Sequence, residues 1–221
     1  MSASIELLEP DLPLSPRGCE RYRALIAAGL RILVRDGHQA VTLRAVSDEA
    51  KASHGAINYY FGSRNVLMCA IAEDVCRRIA INITLVTPKL EKCGNDADRF
   101  AKILAEHSLK YMVNDHAMGV AITELTIAGA RENSLGTVLV RWGKIHAGLM
   151  RESFLRLGSS DPESDYAFVL NCIAGLITAQ LSIPRRDFSQ RILQPSLVRL
   201  VKSIANDFAT RATCGSGDIA A

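Results

Sequence analysis

The sequence predicts an all-α protein of about nine helices, with an N-terminal three-helix domain and a larger C-terminal helical domain. Apolar residues recur at helical spacing along most of the 221 residues, and no segment of any length alternates apolar and polar residues as a half-buried strand does. The chain is 48% apolar but only 5% aromatic. This composition favours helices over strands and is sufficient to bury a core.

The first helix is expected at about 17–35, after an arm of different composition. Residues 1–16 carry three acids, three prolines and no basic residue, so we expect a flexible arm there. Gly37 follows the helix and suits the left-handed conformation in which many helices end. The residues that define the helix by their 3.6-residue spacing are Tyr22, Leu25, Ile26, Gly29, Ile32 and Leu33.

Residues 42–61 predict two short helices joined by a tight turn. Thr42 caps the first helix and Ser53 the second, because a hydroxyl can accept a hydrogen bond from the free amides of a first helical turn. A steep helix pair whose second helix bears short or hydrogen-bonding side chains is typical of the helix-turn-helix that enters the major groove of DNA. Residues 17–64 contain eight bases and four acids, which favours attraction to phosphates, with an ordinary solvated surface as the alternative.

The side chains of this motif predict two kinds of contact with DNA. Asn58 is suited to bidentate hydrogen bonding with adenine, and short neighbouring side chains let the helix approach base edges. Hydroxyl and guanidinium groups around the helix suit phosphates, which position a protein without reading sequence. We expect Phe61 in the core and at least one of Tyr59 and Tyr60 at the phosphates. The candidate DNA-contacting residues are Thr42, Arg44, Ser53, His54, Gly55, Ala56, Asn58, Tyr59, Tyr60 and Arg64.

Residues 17–75 resemble the N-terminal domain of TetR-family transcriptional regulators. The resemblance implies a sequence-specific DNA-binding regulator, a cytoplasmic ligand-responsive repressor that acts as a homodimer on a pseudo-palindromic operator. The DNA-binding domain would then span 17–62, and a ligand-binding and dimerisation domain would span 63–213. The pattern that carries the resemblance is the first helix followed by Gly37, Thr42, Arg44, Ala50, Ser53, Gly55, Ile57, Tyr60, Phe61, Ser63, Arg64 and Leu67.

Three positions depart from the commonest pattern of that family. Lys51 stands in the turn where Gly is usual, so we expect a positive φ at this residue. Asn58 stands where Tyr is common, and it either reads a base or contacts a phosphate. Arg64 stands where a Lys usually contacts phosphate, a change that keeps the charge and alters the geometry.

Six further helices are expected after the motif. Pro88 and the loops at 94–96 and 158–162 mark boundaries between them, and a frayed tail is expected at 214–221. The resemblance implies that the last two helices pair with those of a second copy in a four-helix bundle. The expected helices lie at about 64–84, 97–113, 116–130, 135–157, 163–183 and 189–210.

The segment 166–184 carries no charge, but polar residues interrupt it. We therefore expect a helix buried between subunits rather than a membrane span. The apolar surface of this helix and of the last one supports the implied dimer independently. Ala174, Gly175 and Ala179 would allow close approach of the two copies.

The resemblance also implies a small-ligand pocket among the helices from about 97 to 157. Apolar and aromatic walls with a few polar groups are typical of such pockets. The polar candidates could instead bind a metal, but no two of the four histidine and glutamate residues have i, i+4 spacing, so no metal or cofactor is expected. The candidate pocket residues are His107, Tyr111, Met112, His116, Glu124, Trp142, His146 and Met150.

We expect the helix at 64–84 to join the two domains, so that a ligand favouring one tilt of it would weaken DNA binding. Two other classes stay open: a helical small-molecule-binding protein without DNA binding, and an enzyme housed in the C-terminal body. No nucleophile–base set, phosphate loop or metal motif is recognisable, so no enzymatic activity is expected. The six cysteines show no paired spacing and the N-terminus lacks a signal-peptide pattern, which favours reduced thiols in the cytoplasm.

Overall fold

The computed structural model of the protein describes residues 14–214, with side chains described as far as residue 205. Within these limits the chain forms nine α-helices and no strand, which confirms the predicted fold class. Most of the expected arm at 1–16 and of the expected tail at 214–221 lies outside the described residues. The helices are α1 (Pro16–Asp36), α2 (Leu43–Glu49), α3 (His54–Phe61), α4 (Arg64–Glu91), α5 (Ala97–Ser108), α6 (His116–Gly129), α7 (Asn133–Leu157), α8 (Pro162–Ser182) and α9 (Gln194–Cys214).

Local sequence sets both ends of α1. The Ser15 side chain caps the helix by accepting from the Gly18 amide at 3.2 Å, and Pro16 occupies the first turn, where its missing N–H costs nothing. Gly37 ends the helix at a φ of 82° and donates its amide to the Leu33 carbonyl at 3.1 Å. The predicted first helix and its glycine end are thus confirmed.

The predicted end of the fourth helix was wrong, because α4 continues through Pro88 as far as Glu91. Proline removes the amide that would bond to the carbonyl four residues earlier, here that of Thr84. The Thr87 hydroxyl donates to this carbonyl at 3.4 Å and replaces the lost bond. The chain turns instead at Gly94, which has a φ of 56°, and α5 begins after it.

Two helices have a π-helical segment at one end. The predicted helix at 97–113 is α-helical as far as Ser108, and Leu109–Val113 is π-helical. The predicted last helix begins as the π-helical segment Ser189–Leu193 before α9. These wider turns shift the side-chain positions by one residue, which a strict 3.6-residue pattern does not anticipate.

The described residues divide into two compact units. The first unit contains residues 14–81 and 120–143, and the second contains 82–119 and 144–214. Helices α4, α6 and α7 each contribute residues to both units. The expected functional division between residues 62 and 63 stays a prediction.

The core of the first unit forms where α1 crosses α2, α3 and α4. Leu25, Leu33 and Ile57 are fully buried there. Gly29 allows the closest approach, since a Cβ on it would lie 2.6 Å from the Ile71 Cδ1 atom of α4. The aliphatic side chains of α1 and α3 thereby fix the orientation of the recognition helix by burial alone.

The core of the second unit lies between α5, α7, α8 and α9. Phe100 and Phe154 are fully buried with ring centroids 5.6 Å apart in an edge-to-face arrangement, and Tyr166 packs on Phe154 at 6.1 Å. Among the described helices α8 alone has the length and composition to span a membrane, with a mean hydropathy of 1.2. A single helix of this kind is weak evidence for a membrane span.

Candidate DNA interface and ligand pocket

The caps and turn of the helix-turn-helix are formed as the sequence predicts. Thr42 Oγ1 accepts from the Ala45 amide at 3.1 Å, and Ser53 Oγ accepts from the Ala56 amide at 3.2 Å. Lys51 has a φ of 51°, which confirms the predicted positive value at this non-glycine residue. Both capping hydroxyls are exposed and keep their O–H free to donate to another acceptor.

Helix α3 separates its functional face from its core face. Ile57 and Phe61 are buried, which confirms the expected core position of Phe61. On the other side Asn58 is exposed, and Tyr59 is 77% exposed. His54, Gly55 and Ser53 extend this surface at the start of the helix, and all three are exposed. The arrangement leaves the predicted base-reading side chains available to a partner.

The two adjacent tyrosines of α3 have different surroundings. The Tyr60 hydroxyl donates to the Gly18 carbonyl at 3.2 Å, and its ring lies 6.0 Å from that of Tyr22. This contact joins α3 to the first turn of α1. Because its donor is used, Tyr60 is better described as a residue that orients the recognition helix than as a phosphate contact. Tyr59 is the tyrosine that remains available for phosphate.

Arg64 was predicted to contact phosphate, and the structure gives its guanidinium three partners within the protein. Its Nε donates to the Val41 carbonyl at 3.0 Å and its Nη2 to the His38 carbonyl at 2.8 Å. Its Nη1 pairs with the Glu132 carboxylate at 2.9 Å. All three nitrogens are therefore engaged, and the planar guanidinium fixes the start of α4 against the segment after α1.

Glu124 was predicted to line the pocket, and it contacts the helix-turn-helix domain instead. Its Oε2 accepts from the backbone amide of His38 at 2.9 Å and lies 2.9 Å from His38 Nδ1. These hydrogen bonds from His38 hold the pKa of the Glu124 carboxyl below its usual range. We refer to His38, Arg64, Glu124 and Glu132 together as the clamp.

Sequence reasoning missed His38 and Glu132 of the clamp. Glu124 lies 86 positions from its partner, and Glu132 lies 68 positions from Arg64. Helical periodicity reports only which residues share a face of one helix, so it contains no signal for such pairs. Correlated substitution in related sequences is the signal that could reveal them.

Trp142 also faces a partner in the first unit. Its Nε1 donates to the Glu73 carboxylate of α4, which also pairs with Arg141. The indole is buried, and the pairing fixes α7 to α4. Glu124 and Trp142 thus have polar partners within the first unit, and their part in a ligand pocket stays a prediction.

The other six pocket candidates belong to the second unit. The His107 and Tyr111 rings lie 4.7 Å apart, centroid to centroid. Burial, with nearby Lys110 and Lys89, lowers the pKa of His107 to about 4, so this imidazole is neutral at pH 7. His146 and Met150 are buried on one face of α7, whereas His116 is exposed. Tyr111 and Met112 are half-buried in the π-helical segment. Among the described residues no three His, Cys, Asp or Glu side chains are placed to hold a metal ion.

Two family models match the chain. The model for bacterial regulatory proteins of the tetR family matches residues 25–71, and the model for tetracyclin repressor-like C-terminal domains matches residues 95–203. The chain belongs to the TetR family. The resemblance inferred from residues 17–75 is confirmed.

Similar proteins support this membership. The chain is 29% identical over 112 residues to the HTH-type nicotine-responsive transcriptional repressor HdnoR of Paenarthrobacter nicotinovorans, a match covering 51% of this chain and 56% of that protein. A transcriptional regulator from Rhodococcus superposes with a TM-score of 0.70 at 16% identity, over 84% of this chain and 96% of the other. The multidrug binding protein EbrR in complex with imidazole gives 0.67 at 20% identity, over 87% and 96%. The chain spans little more than half of the curated relative, and the two superpositions show the fold alone.

TetR-family regulators share several general properties. TetR-family regulators bind DNA operators and small-molecule effectors and act as dimers. They are cytoplasmic DNA-binding proteins and are usually not enzymes.

Proposed function

We propose that the protein is a cytoplasmic, ligand-responsive repressor that binds a pseudo-palindromic operator as a homodimer. The observation that carries the proposal is the two-sided character of α3. Its aliphatic and aromatic side chains at Ile57 and Phe61 are buried, while His54, Asn58 and Tyr59 are exposed beside the Ser53 cap. A recognition helix needs this arrangement because its base-reading residues must be free and its orientation must be fixed.

The exposed residues divide into base readers and phosphate contacts. His54 and Asn58 are the base readers, and Gly55 and Ala56 let the helix backbone approach the groove. The phosphate contacts are the Thr42 and Ser53 hydroxyls, the Arg44 guanidinium and Tyr59. We assign Asn58 to a base rather than to a phosphate, because the neighbouring Tyr59 already supplies an exposed hydroxyl for the phosphate.

Helix α8 supplies the dimer interface, together with α9. From Ala167 onward its exposed face is uncharged, and Phe168 on this face is 50% exposed. A Cβ on Gly175 would meet no described atom within 4 Å, so this face has room for a closely packed second copy. The exposed residues of the face recur at helical spacing and are Ala167, Phe168, Asn171, Ala174, Gly175, Thr178, Ala179 and Ser182.

Charge introduced on this face tests the dimer. Ala179→Glu would bury a carboxylate against an apolar partner, and we expect a shift from dimer to monomer at micromolar concentration. Sedimentation velocity measures this, with Ser160→Glu on an exposed loop as the control. A wild-type chain that sediments as a monomer at all concentrations would contradict the assignment.

The second unit holds the effector, which we propose is a small aromatic nitrogen compound. HdnoR is named as nicotine-responsive, and solved structures of EbrR contain imidazole and ethidium. In this chain the neutral His107, whose ring lies beside that of Tyr111, offers a hydrogen-bonding nitrogen without a positive charge of its own. His146 and Met150 supply buried walls from α7.

Effector binding reaches the DNA-binding helices through the clamp. Helices α4 and α6 contribute residues to both compact units, and their first-unit parts carry Arg64 and Glu124. An effector that favours one position of these helices would shift the segment around His38 and thereby the recognition helix. Such an effector can change DNA affinity only by as much as its own affinity differs between the two arrangements.

Selection of bound fragments from genomic DNA with purified protein tests the function. We expect enrichment of a pseudo-palindromic sequence that is bound in a salt-sensitive way. Alanine at Tyr59 should weaken binding about equally for all sequences, whereas alanine at His54 or Asn58 should change the preferred bases. If no sequence is enriched and no fragment binds selectively at any salt concentration, the proposal fails.

A further inference from the structure

A groove with a volume of about 720 Å³ lies in the first unit between the start of α1 and the turn before α3. Arg17 and Arg21 of α1 line one side of it. Lys51 in the turn lines the other side, next to Ser53. Ser53 begins the recognition helix, so the groove adjoins the face that carries the base readers. None of its basic residues was predicted to contact DNA.

The basic residues of the groove have no partner among the described residues. Arg17, Arg21 and Lys51 are all exposed, and none of them makes an ion pair or side-chain hydrogen bond within the part of the chain that the structure describes. Glu20 also lines the groove and is likewise exposed and unpaired. The groove therefore carries three cationic side chains and one carboxylate.

The other end of the same helix provides a direct contrast. Arg31 and Arg35 are also one turn apart, and both pair with Glu49 of α2, at 2.8 and 3.3 Å. They lie near the C-terminus of α1, where cations interact favourably with the helix dipole. In this second pair Glu49 neutralises the two positive charges, and the helix dipole at the C-terminal end favours them.

Each basic residue of the groove is in a locally unfavourable position. Arg17 lies in the first turn of α1, where the helix dipole is positive, and this turn contains no acid. Arg17 and Arg21 are like charges at i, i+4, an arrangement that destabilises a helix. Lys51 has a left-handed backbone, which is unfavourable for a residue other than glycine. Positions that oppose local preferences without internal compensation are expected at binding sites.

We propose that this groove binds a backbone phosphate of the operator beside the recognition helix. Arg17 and Arg21 hold the phosphate from α1, and Lys51 holds it from the turn. The groove suits a phosphodiester because three exposed cationic side chains line it and Ser53, at the start of α3, borders it. The inference rests on the proposed DNA binding and adds a contact surface on α1 to the helix-turn-helix contacts.

The salt dependence of operator binding tests the groove. Each phosphate contact contributes about 0.9 to the slope of log Kd against log salt concentration, and its loss weakens binding about fivefold near 0.15 M salt. We expect Arg17→Ala, Arg21→Ala and Lys51→Ala each to lower the slope and to weaken specific and non-specific DNA alike. Glu20→Gln should tighten both about twofold.

Arg23→Ala is the matched control, since Arg23 is exposed on the same helix but does not line the groove. Fluorescence anisotropy with the selected operator measures all variants, and the thermal midpoint of each confirms that it is folded. Slopes of the groove variants equal to that of the wild type or of Arg23→Ala would overturn the proposal. If the wild-type protein itself binds no sequence selectively, the proposed DNA-binding function is wrong. This outcome differs from selective binding with unchanged slopes in the groove variants, which would contradict the groove alone.

Inorganic phosphate distinguishes a free anion from a DNA phosphate. We expect phosphate, compared with chloride at equal ionic strength, to raise the thermal midpoint of the wild type and of the Arg17→Ala, Arg21→Ala double variant by the same amount, because a kosmotropic anion stabilises any folded protein. A higher midpoint in phosphate that disappears in the Arg17→Ala, Arg21→Ala double variant would show a free-anion site and would overturn the assignment to DNA.

Discussion

The two sides of the helix-turn-helix domain use the same residue types in opposite ways. On the side that carries the proposed DNA contacts, Arg44, His54 and Tyr59 are exposed. On the side of the clamp, Arg64 and His38 are held by carboxylates and backbone carbonyls. An arginine or histidine therefore binds DNA or fixes the fold according to whether an acid from a distant helix reaches it.

Because of this difference, we expect the exposed side to contribute to the free energy of DNA binding and the clamp to contribute to the free energy of unfolding. Arg44 and His54 on the exposed side make no ion pair or side-chain hydrogen bond among the described residues, so their loss should leave the free energy of unfolding nearly unchanged and reduce affinity for DNA. Side chains of the clamp are half-buried and paired, so their loss leaves acceptors without donors in a partly desolvated place. The two sides should consequently respond differently to matched substitutions.

Arg64→Ala gives the largest expected effect on stability. The carbonyls of His38 and Val41 and the Glu132 carboxylate would lose their donor, and Glu132 Oε2 is already buried without a hydrogen bond. We expect the free energy of unfolding to fall by about 2 kcal/mol. This is less than for a fully buried pair, because both side chains retain some exposure to solvent. Arg64→Lys should lose about half of this, because an ammonium cannot reproduce three divergent bonds. Urea unfolding measures both changes.

Arg44→Ala is the control for this prediction. It removes the same side-chain type from the exposed side and should change the free energy of unfolding by less than about 0.5 kcal/mol while weakening operator binding. Wild-type stability in Arg64→Ala together with weakened operator binding would mean that Arg64 is a phosphate contact after all. The division between the two sides would then be incorrect at this position.

Glu124→Gln should lower the free energy of unfolding by less than Arg64→Ala does, by about 1 kcal/mol at neutral pH, because the amide oxygen of glutamine can still accept from the His38 amide. The lowered pKa of Glu124 gives the effect a pH dependence. A carboxyl whose pKa is depressed by folding stabilises the protein above its unfolded value, 4.5 for Glu, and this contribution disappears as pH falls through the depressed value. The stability difference between wild type and variant should therefore narrow below 4.5.

Denaturant unfolding of both proteins across this pH range measures the narrowing. Glu106→Gln is a suitable control because Glu106 is exposed and makes no ion pair among the described residues. A difference between wild type and Glu124→Gln that is independent of pH would mean that the charge of Glu124 contributes nothing to the clamp.

The sequence allowed prediction of the elements that depend on local chemistry. The Thr42 and Ser53 caps and the end of α1 at Gly37 follow from neighbouring residues, and the positive φ of Lys51 follows from the family pattern. All four are present. The continuation of α4 past Pro88 was not predictable by the same rules, because a threonine hydroxyl one residue earlier replaces the lost bond.

The roles of polar side chains were harder to predict because they depend on distant partners. Glu124 and Trp142 have the chemistry of pocket residues, yet their partners are His38 and Glu73. Arg64 matches a phosphate-contacting position in the family pattern, yet Glu132 lies within bonding distance. Periodicity predicts which face of a helix is buried and not which polar group lies opposite.

Lys51→Gly gives the smallest expected change and tests both the strain and the groove. Glycine adopts a φ of 51° without a steric penalty, but it loses more backbone entropy on folding, so the net gain in stability should be at most about 1 kcal/mol. Lys51→Ala loses the same charge and keeps the unfavourable backbone, so the difference between the two variants isolates the backbone contribution. Both should weaken operator binding by the same factor, because the phosphate contact depends on the ammonium group alone. A more stable Lys51→Gly protein that binds DNA as tightly as the wild type would show that lysine at this position serves neither the fold nor the operator.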